Sequence, residues 1–140
     1  MPKRKKTYLL NYAGQKQRFA RSVLAGDFVF LSGSSGRTLE TGEVSSGDVR
    51  DQTRVALDKI RLALEEAGTS MEHIVKVVIY FKDMKDYEAV KRTEFEYWQE
   101  HAPALAEEPP ASTVCQVASL SKPNMLVEID IVALRGDIQG

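Results

Sequence analysis

Only two stretches of this chain carry a clear helical period, and strand-like segments lie on both sides of them. Val49–Ala67 places Leu57, Ile60, Leu64 and Ala67 on one face, with Ala56 and Ala63 beside them. That is the spacing of an amphipathic helix. Asp48 is placed to cap its start, and Gly68 to end it in a left-handed conformation. The second helical stretch follows the polar connection Lys82–Asp86 and runs to about His101, with Tyr87, Val90, Glu94, Tyr97 or Trp98, and His101 on adjoining faces. Pro103–Pro110 closes it. Between the two lies Ile74–Phe81, a β-branched and aromatic run short enough to be a core strand.

Four further strands are expected. Phe19–Leu24 and Phe28–Leu31 flank a tight turn at Ala25-Gly26-Asp27, while Ser112–Leu120 and Leu126–Leu134 end the chain. Tyr8–Tyr12 reads as a short extended piece and Gly14–Gln17 as a polar loop. The order strand, strand, helix, strand, helix, strand, strand predicts an α+β two-layer sandwich, a mixed sheet with two helices on one face. Two helices cover one face only. The other face needs a partner, and oligomerisation is the expected one.

At 140 residues and 15.6 kDa, one domain is expected over 18–135, with a basic tail and entry segment at 1–17 and a short tail at 136–140. The net charge of −1 argues against a dedicated nucleic-acid binder. The basic cluster Lys3-Arg4-Lys5-Lys6 reads as a solvated terminus. A single cysteine, Cys115, excludes an internal disulfide framework and fits a reducing compartment. Without an apolar run of membrane-spanning length or a secretory signal pattern, the expected location is the cytoplasm, with no membrane partner.

Strand periodicity sorts the candidate chemistry. Ser112, Val114, Gln116 and Ala118 share one face of their strand, and Thr113, Cys115 and Val117 the other. In the last strand Glu128 and Asp130 oppose Val127, Ile129 and Ile131. Glu128 is therefore either a structural ion-pair partner or a carboxylate that orients water and shuttles a proton. The Ser32-Gly33-Ser34-Ser35-Gly36 loop lacks the Gly-Lys-Ser/Thr of a phosphate loop, and its small residues suit close approach of a ligand or another subunit. His73, His101 and Cys115 lack zinc-site spacing, so no metal is expected. Cys115 reads as a nucleophile or, more simply, as a small buried residue. Tyr97-Trp98 reads as packing.

From Phe19 to Leu134 the chain resembles the Rid (YjgF, reactive-intermediate-deaminase) family. The resemblance is carried by Ala25–Gly33, Gln52-Thr53, Ala67-Gly68, Val75–Met84, Pro110–Leu120 and Val127-Glu128-Ile129. It implies a chorismate-mutase-like fold, a homotrimer with ligand clefts between subunits, and cofactor-free hydrolysis of 2-imino or 2-enamino acids to 2-keto acids and ammonia. It also implies that Glu128 holds the hydrolytic water, and that Ser32 and Gly33 line the cleft. Four positions depart from the family pattern. The carboxylate-binding arginine is Ser112, a cysteine of some members is Val114, the usual asparagine of the second helix is Lys91, and the cleft tyrosine is Phe19.

Serine offers a neutral hydrogen bond where arginine offers a charged, bidentate one. A replacement cation is therefore sought in Lys91, Arg18 or Arg21, or else the substrate carries its anionic group elsewhere, as in deaminases of the 2-aminomuconate type. The expected activity is hydrolytic deamination of a small enamine or imine, with Glu128 orienting water and Ser112 contacting substrate. The alternative is a trimeric metabolite-binding protein without chemistry. An RNA-directed activity has the least support, given the near-neutral composition.

Overall fold

The computed structural model describes residues 4–136. Seven strands form one mixed sheet: β1 (Lys5–Tyr12), β2 (Gln15–Ala25), β3 (Phe28–Leu31), β4 (Ser34–Ser35), β5 (Ile74–Phe81), β6 (Ala111–Gln116) and β7 (Val127–Leu134). Their spatial order is β1-β2-β3-β7-β5-β6, with β4 beside β7. All pairings are antiparallel except β5 with β6. Among the described residues there are three α-helices: α1 (Val49–Glu66), α2 (Tyr87–His101) and the short α3 (Pro103–Glu107).

Helix α1 forms where its period predicts. The Asp48 carboxylate accepts from the Arg50 amide, and Gly68 follows the helix at φ 82°. Its buried face, Ala56, Leu57, Ile60, Ala63 and Leu64, lies in one core with Val77, Ile79 and Phe81 of β5 and Val127, Ile129 and Ile131 of β7. The alternate residues of those strands face away from the helices. On that open face Phe28 and Phe30 are nearly half exposed, with ring centroids 6.4 Å apart.

Four expectations are corrected. The sheet begins at Lys5 rather than at Phe19. β1 pairs with β2 from Lys5↔Ala25 to Tyr12↔Gln15, so most of the expected tail and polar loop is a β-hairpin turning at Ala13-Gly14. Period-two reading missed it because the ladder is irregular. Gln17, Arg18 and Phe19 stand opposite the single residue Leu10, a bulge that breaks the alternation. The strand expected over Ser112–Leu120 ends at Gln116, and chain without regular structure leads to Val127. Pro103–Pro110 holds a third helix, whose Leu105 is buried. The Ser34-Ser35 pair of the Gly/Ser loop forms β4 rather than only breaking a strand. Lys3 and residues 137–140 of the expected tails lie outside the described residues.

Candidate functional site

The site is built around β4, where the Gly/Ser loop meets β7. Ser35 pairs with Glu128 and Ser34 with Ile129, and the buried Ser34 hydroxyl donates to the Ala56 carbonyl of α1 at 2.8 Å. The loop is thereby pinned between helix and sheet. Its glycines are there for space. A Cβ on Gly33 would stand 2.8 Å from the Glu128 carboxyl carbon and 3.1 Å from Asp130 Oδ1. One on Gly36 would stand 2.6 Å from Gln52 Cγ. Gln52 is fully buried and ties down the approach to β7. Its amide donates to the Ser46 and Asn124 carbonyls at 2.8 and 3.0 Å, and its oxygen accepts from the Leu126 amide at 2.9 Å.

Glu128 opens into a cavity of about 440 Å³ lined by Tyr12, Phe19, Ser32, Gly33, Ser35, Arg37, Ser121, Met125 and Glu128. Burial, and next the Asp130 charge on the same face, push its carboxyl up from the ordinary range, while Lys59 draws it back. A half-buried carboxylate with raised proton affinity is better suited to take a proton than a solvated one. Asp130 itself accepts from the Tyr80 hydroxyl at 3.1 Å.

The bulge in β2 brings Phe19 to this cavity, so four of the residues expected at the site, Glu128, Phe19, Ser32 and Gly33, meet within one subunit. The other three do not line it. Ser112 pairs with Val77, which pairs with Ile131, three residues along from Glu128. It also lies on the helix-side register of its strand, whereas Glu128 pairs with Tyr80 on the open side. Val114 packs against the core on the same side as Ser112. Lys91 is engaged on α2, where Nζ meets the buried Glu94 carboxylate at 2.7 Å. Arg18 is exposed on β2, and Arg21 lines the wall of a hollow beside the cavity.

The unanticipated wall residues include Tyr12, Arg37 and Lys59. A second, narrower hollow shares Tyr12, Ser32 and Gly33 with the first and adds Arg21 and Lys59. Lys59 Nζ donates to the Tyr12 hydroxyl at 3.0 Å, and the Arg37 guanidinium lies 4.0 Å from the Tyr12 ring centroid. Burial, and next the Arg37 charge, lower Lys59 to about 8. One signal was legible: Lys59 stands three residues after Ala56 and four before Ala63, on the edge of the buried face of α1. Tyr12 and Arg37 carry no comparable mark, because only the fold brings β1 and the loop after β4 together. Among the described residues no cluster of three or more His, Cys, Asp or Glu side chains is arranged to hold a metal ion. None of the described helices is long and apolar enough to cross a membrane.

The family model described as Endoribonuclease L-PSP matches residues 12–135, from the first tyrosine of the cavity to the end of the sheet. The chain belongs to the Rid family. Among other Rid proteins, it is 34% identical to a RutC family protein of Pyrococcus horikoshii, over 84% of this chain and 86% of that one. It is 32% identical to the 2-iminobutanoate/2-iminopropanoate deaminase of Escherichia coli, over 84% and 87%. The crystal structure of E. coli TdcF with bound serine superposes with a TM-score of 0.81 at 27% identity, covering 94% of this chain and all of that one. The E. coli YjgF gene product gives 0.76 at 32% identity, over 84% and 87%. The α+β sandwich is thus the chorismate-mutase-like fold of the Rid family.

Proposed function

We propose that this Rid protein is a cofactor-independent hydrolytic deaminase of a small imine or enamine, acting in the cytoplasm as a homotrimer. The observation that carries the reading is the Glu128 carboxylate. It is half-buried, raised in proton affinity, and aimed into a cavity with Phe19, Ser32 and Gly33. In the proposed reaction Glu128 accepts a proton from water as its oxygen adds to the C=N carbon. Glu128 returns that proton to the nitrogen, and the resulting aminoalcohol expels ammonia and leaves the carbonyl product. Atoms balance with water as the only co-reactant. The name of the E. coli relative, 2-iminobutanoate/2-iminopropanoate deaminase, supports this class of reaction.

Trimer assembly is proposed on two grounds. The open sheet face exposes Phe28 and Phe30, and apolar surface of that kind is commonly buried against another copy. β6 is an edge strand with Ser112 exposed, on the face opposite to Glu128. A cleft containing both Ser112 and Glu128 therefore needs two subunits, and β6 with Ser112 and Val114 is proposed to border the neighbour's cavity. Lys91 is assigned to the Glu94 pair. A small ligand suits a cavity whose walls carry one carboxylate and no histidine better than RNA does.

The test is ammonia release from freshly generated 2-aminoacrylate, bulkier 2-imino acids and 2-aminomuconate, with wild type, Ser112→Arg and Glu128→Gln. Turnover by wild type that Glu128→Gln abolishes is expected. Unchanged turnover in Glu128→Gln would remove its role. The second reading, metabolite binding without chemistry, is favoured by Ser112 in the arginine's place. It would be signalled by ligand-induced stabilisation without ammonia, and by activity appearing only in Ser112→Arg.

A further inference from the structure

Arg21, Arg37 and Lys59 gather around Tyr12 from β2, the loop after β4, and α1. Arg21 is partnered by Glu66 at 3.5 Å. Arg37 Nε donates a hydrogen bond to the Gly42 carbonyl at 2.7 Å, and Lys59 Nζ donates one to the Tyr12 hydroxyl. Among the described residues neither Arg37 nor Lys59 forms an ion pair with a carboxylate, although both stand over the same ring, at 4.0 and 5.3 Å from its centroid. Arg37 lies against the ring and Lys59 at its hydroxyl; the two like charges repel one another, and Glu128 offsets Lys59 only through space, without an ion pair. Such an arrangement is stabilised when a ligand supplies the negative charge.

We infer that Tyr12, Arg37 and Lys59 form an anion subsite within a single subunit, which takes the carboxylate of a small 2-imino or 2-oxo acid while Glu128 addresses the adjacent C=N carbon. The choice of an imino acid rests on the proposed deaminase reading; binding of the carboxylate does not. In the family pattern the carboxylate is met by an arginine at the position of Ser112. Here the anchor moves to the subunit that carries Glu128 itself. Arg37 lines the cavity into which Glu128 opens and Lys59 the narrower hollow, with Tyr12, Ser32 and Gly33 as their common wall, so an anion within reach of both cations sits at that shared wall. Phe19 and Met125 line that cavity and suit a short apolar substituent.

The probe is 2-oxobutanoate, a carboxylate of the product class that undergoes no deamination, titrated calorimetrically with butanone as the uncharged control. Wild type is expected to bind 2-oxobutanoate and not butanone. Lys59→Met and Arg37→Gln should each weaken binding tenfold or more, while Lys59→Arg, which keeps the charge, should retain most of it. Glu128→Gln should bind at least as tightly as wild type, because a like charge is removed. Lys59 is faced by Tyr12, Arg37, Arg21 and Glu128, and its deprotonation should weaken wild-type binding above about pH 8 but leave the residual binding of Lys59→Met flat. Equal affinity in wild type, Lys59→Met and Arg37→Gln, or no binding by wild type, overturns the inference. If Lys59-dependent binding is found but no imine is turned over, the subsite stands and the deaminase reading fails. If imines are turned over with a KM indifferent to Lys59 and Arg37, the deaminase stands and the subsite fails.

Discussion

Two lysines sit near glutamates in this fold, and the two neighbourhoods are built differently. On α2, Lys91 closes on Glu94 at 2.7 Å, and the carboxylate is nearly inaccessible, with 6% of its side chain exposed. Burial raises the proton affinity of Glu94, and the Lys91 hydrogen bond and charge lower it again. At the cavity, Lys59 and Glu128 influence one another without meeting in an ion pair. Lys59 is held by a tyrosine hydroxyl, and Glu128 is pressed by a second carboxylate. The first pair is self-sufficient and supports the fold. On the proposed reading, a ligand completes the second.

Breaking each pair should therefore have opposite consequences. The largest effect is expected on activity: Glu128→Gln should lower turnover of a genuine imine substrate by roughly 10²–10⁴ while leaving the melting temperature near wild type. Next comes Lys91→Met, which strands Glu94 as a buried carboxylate without its cation. It should destabilise by about 3 kcal/mol in denaturant titration, with most of the loss recovered in the Lys91→Met, Glu94→Gln double variant. A loss no greater than that of an exposed lysine would make the two neighbourhoods alike.

Lys59→Met should act the other way, stabilising by on the order of 1–3 kcal/mol at pH 7. The sign follows from linkage. Lys59 keeps its proton in the unfolded chain to the ordinary value of 10.5 but releases it in the fold from about 8. Between those values the unfolded state binds more protons, so this group's contribution to stability rises with pH. The advantage of Lys59→Met over wild type should accordingly shrink across that window, which paired melts at successive pH values would measure. An advantage independent of pH would point to packing rather than charge. The smallest effect is expected from Gly33→Ala. Its Cβ would crowd Glu128 from 2.8 Å, turning the carboxylate at a cost of about tenfold in kcat, with 2-oxobutanoate binding retained.

The helix-and-core half of the molecule was legible because each element there obeys one period. Val49–Ala67 and Ile74–Phe81 bury the faces that their spacing assigns, and Asp48 caps where it stands. Glu128 stood out by the same logic, as a carboxylate interrupting an apolar strand. The β1–β2 hairpin was partly hidden, since its bulge at Gln17–Phe19 breaks the alternation on which strand reading depends. That same bulge delivers Phe19 to the cavity. Lys91 was a reasonable cation on a helix face, but its nearest carboxylate, three residues on at Glu94, claimed it.

The sequence by itself determined what is local: the periods, the caps, the small residues at Ser32–Gly36 and the acidic face that Glu128 and Asp130 give the last strand. A period is set by backbone geometry over a few consecutive residues, so it survives without knowledge of the rest of the chain. Only the tertiary structure decided which cations surround the cavity. Tyr12, Arg37 and Lys59 come from a strand, a loop and a helix far apart in the chain, and electrostatic coupling depends on distance through space rather than along the sequence.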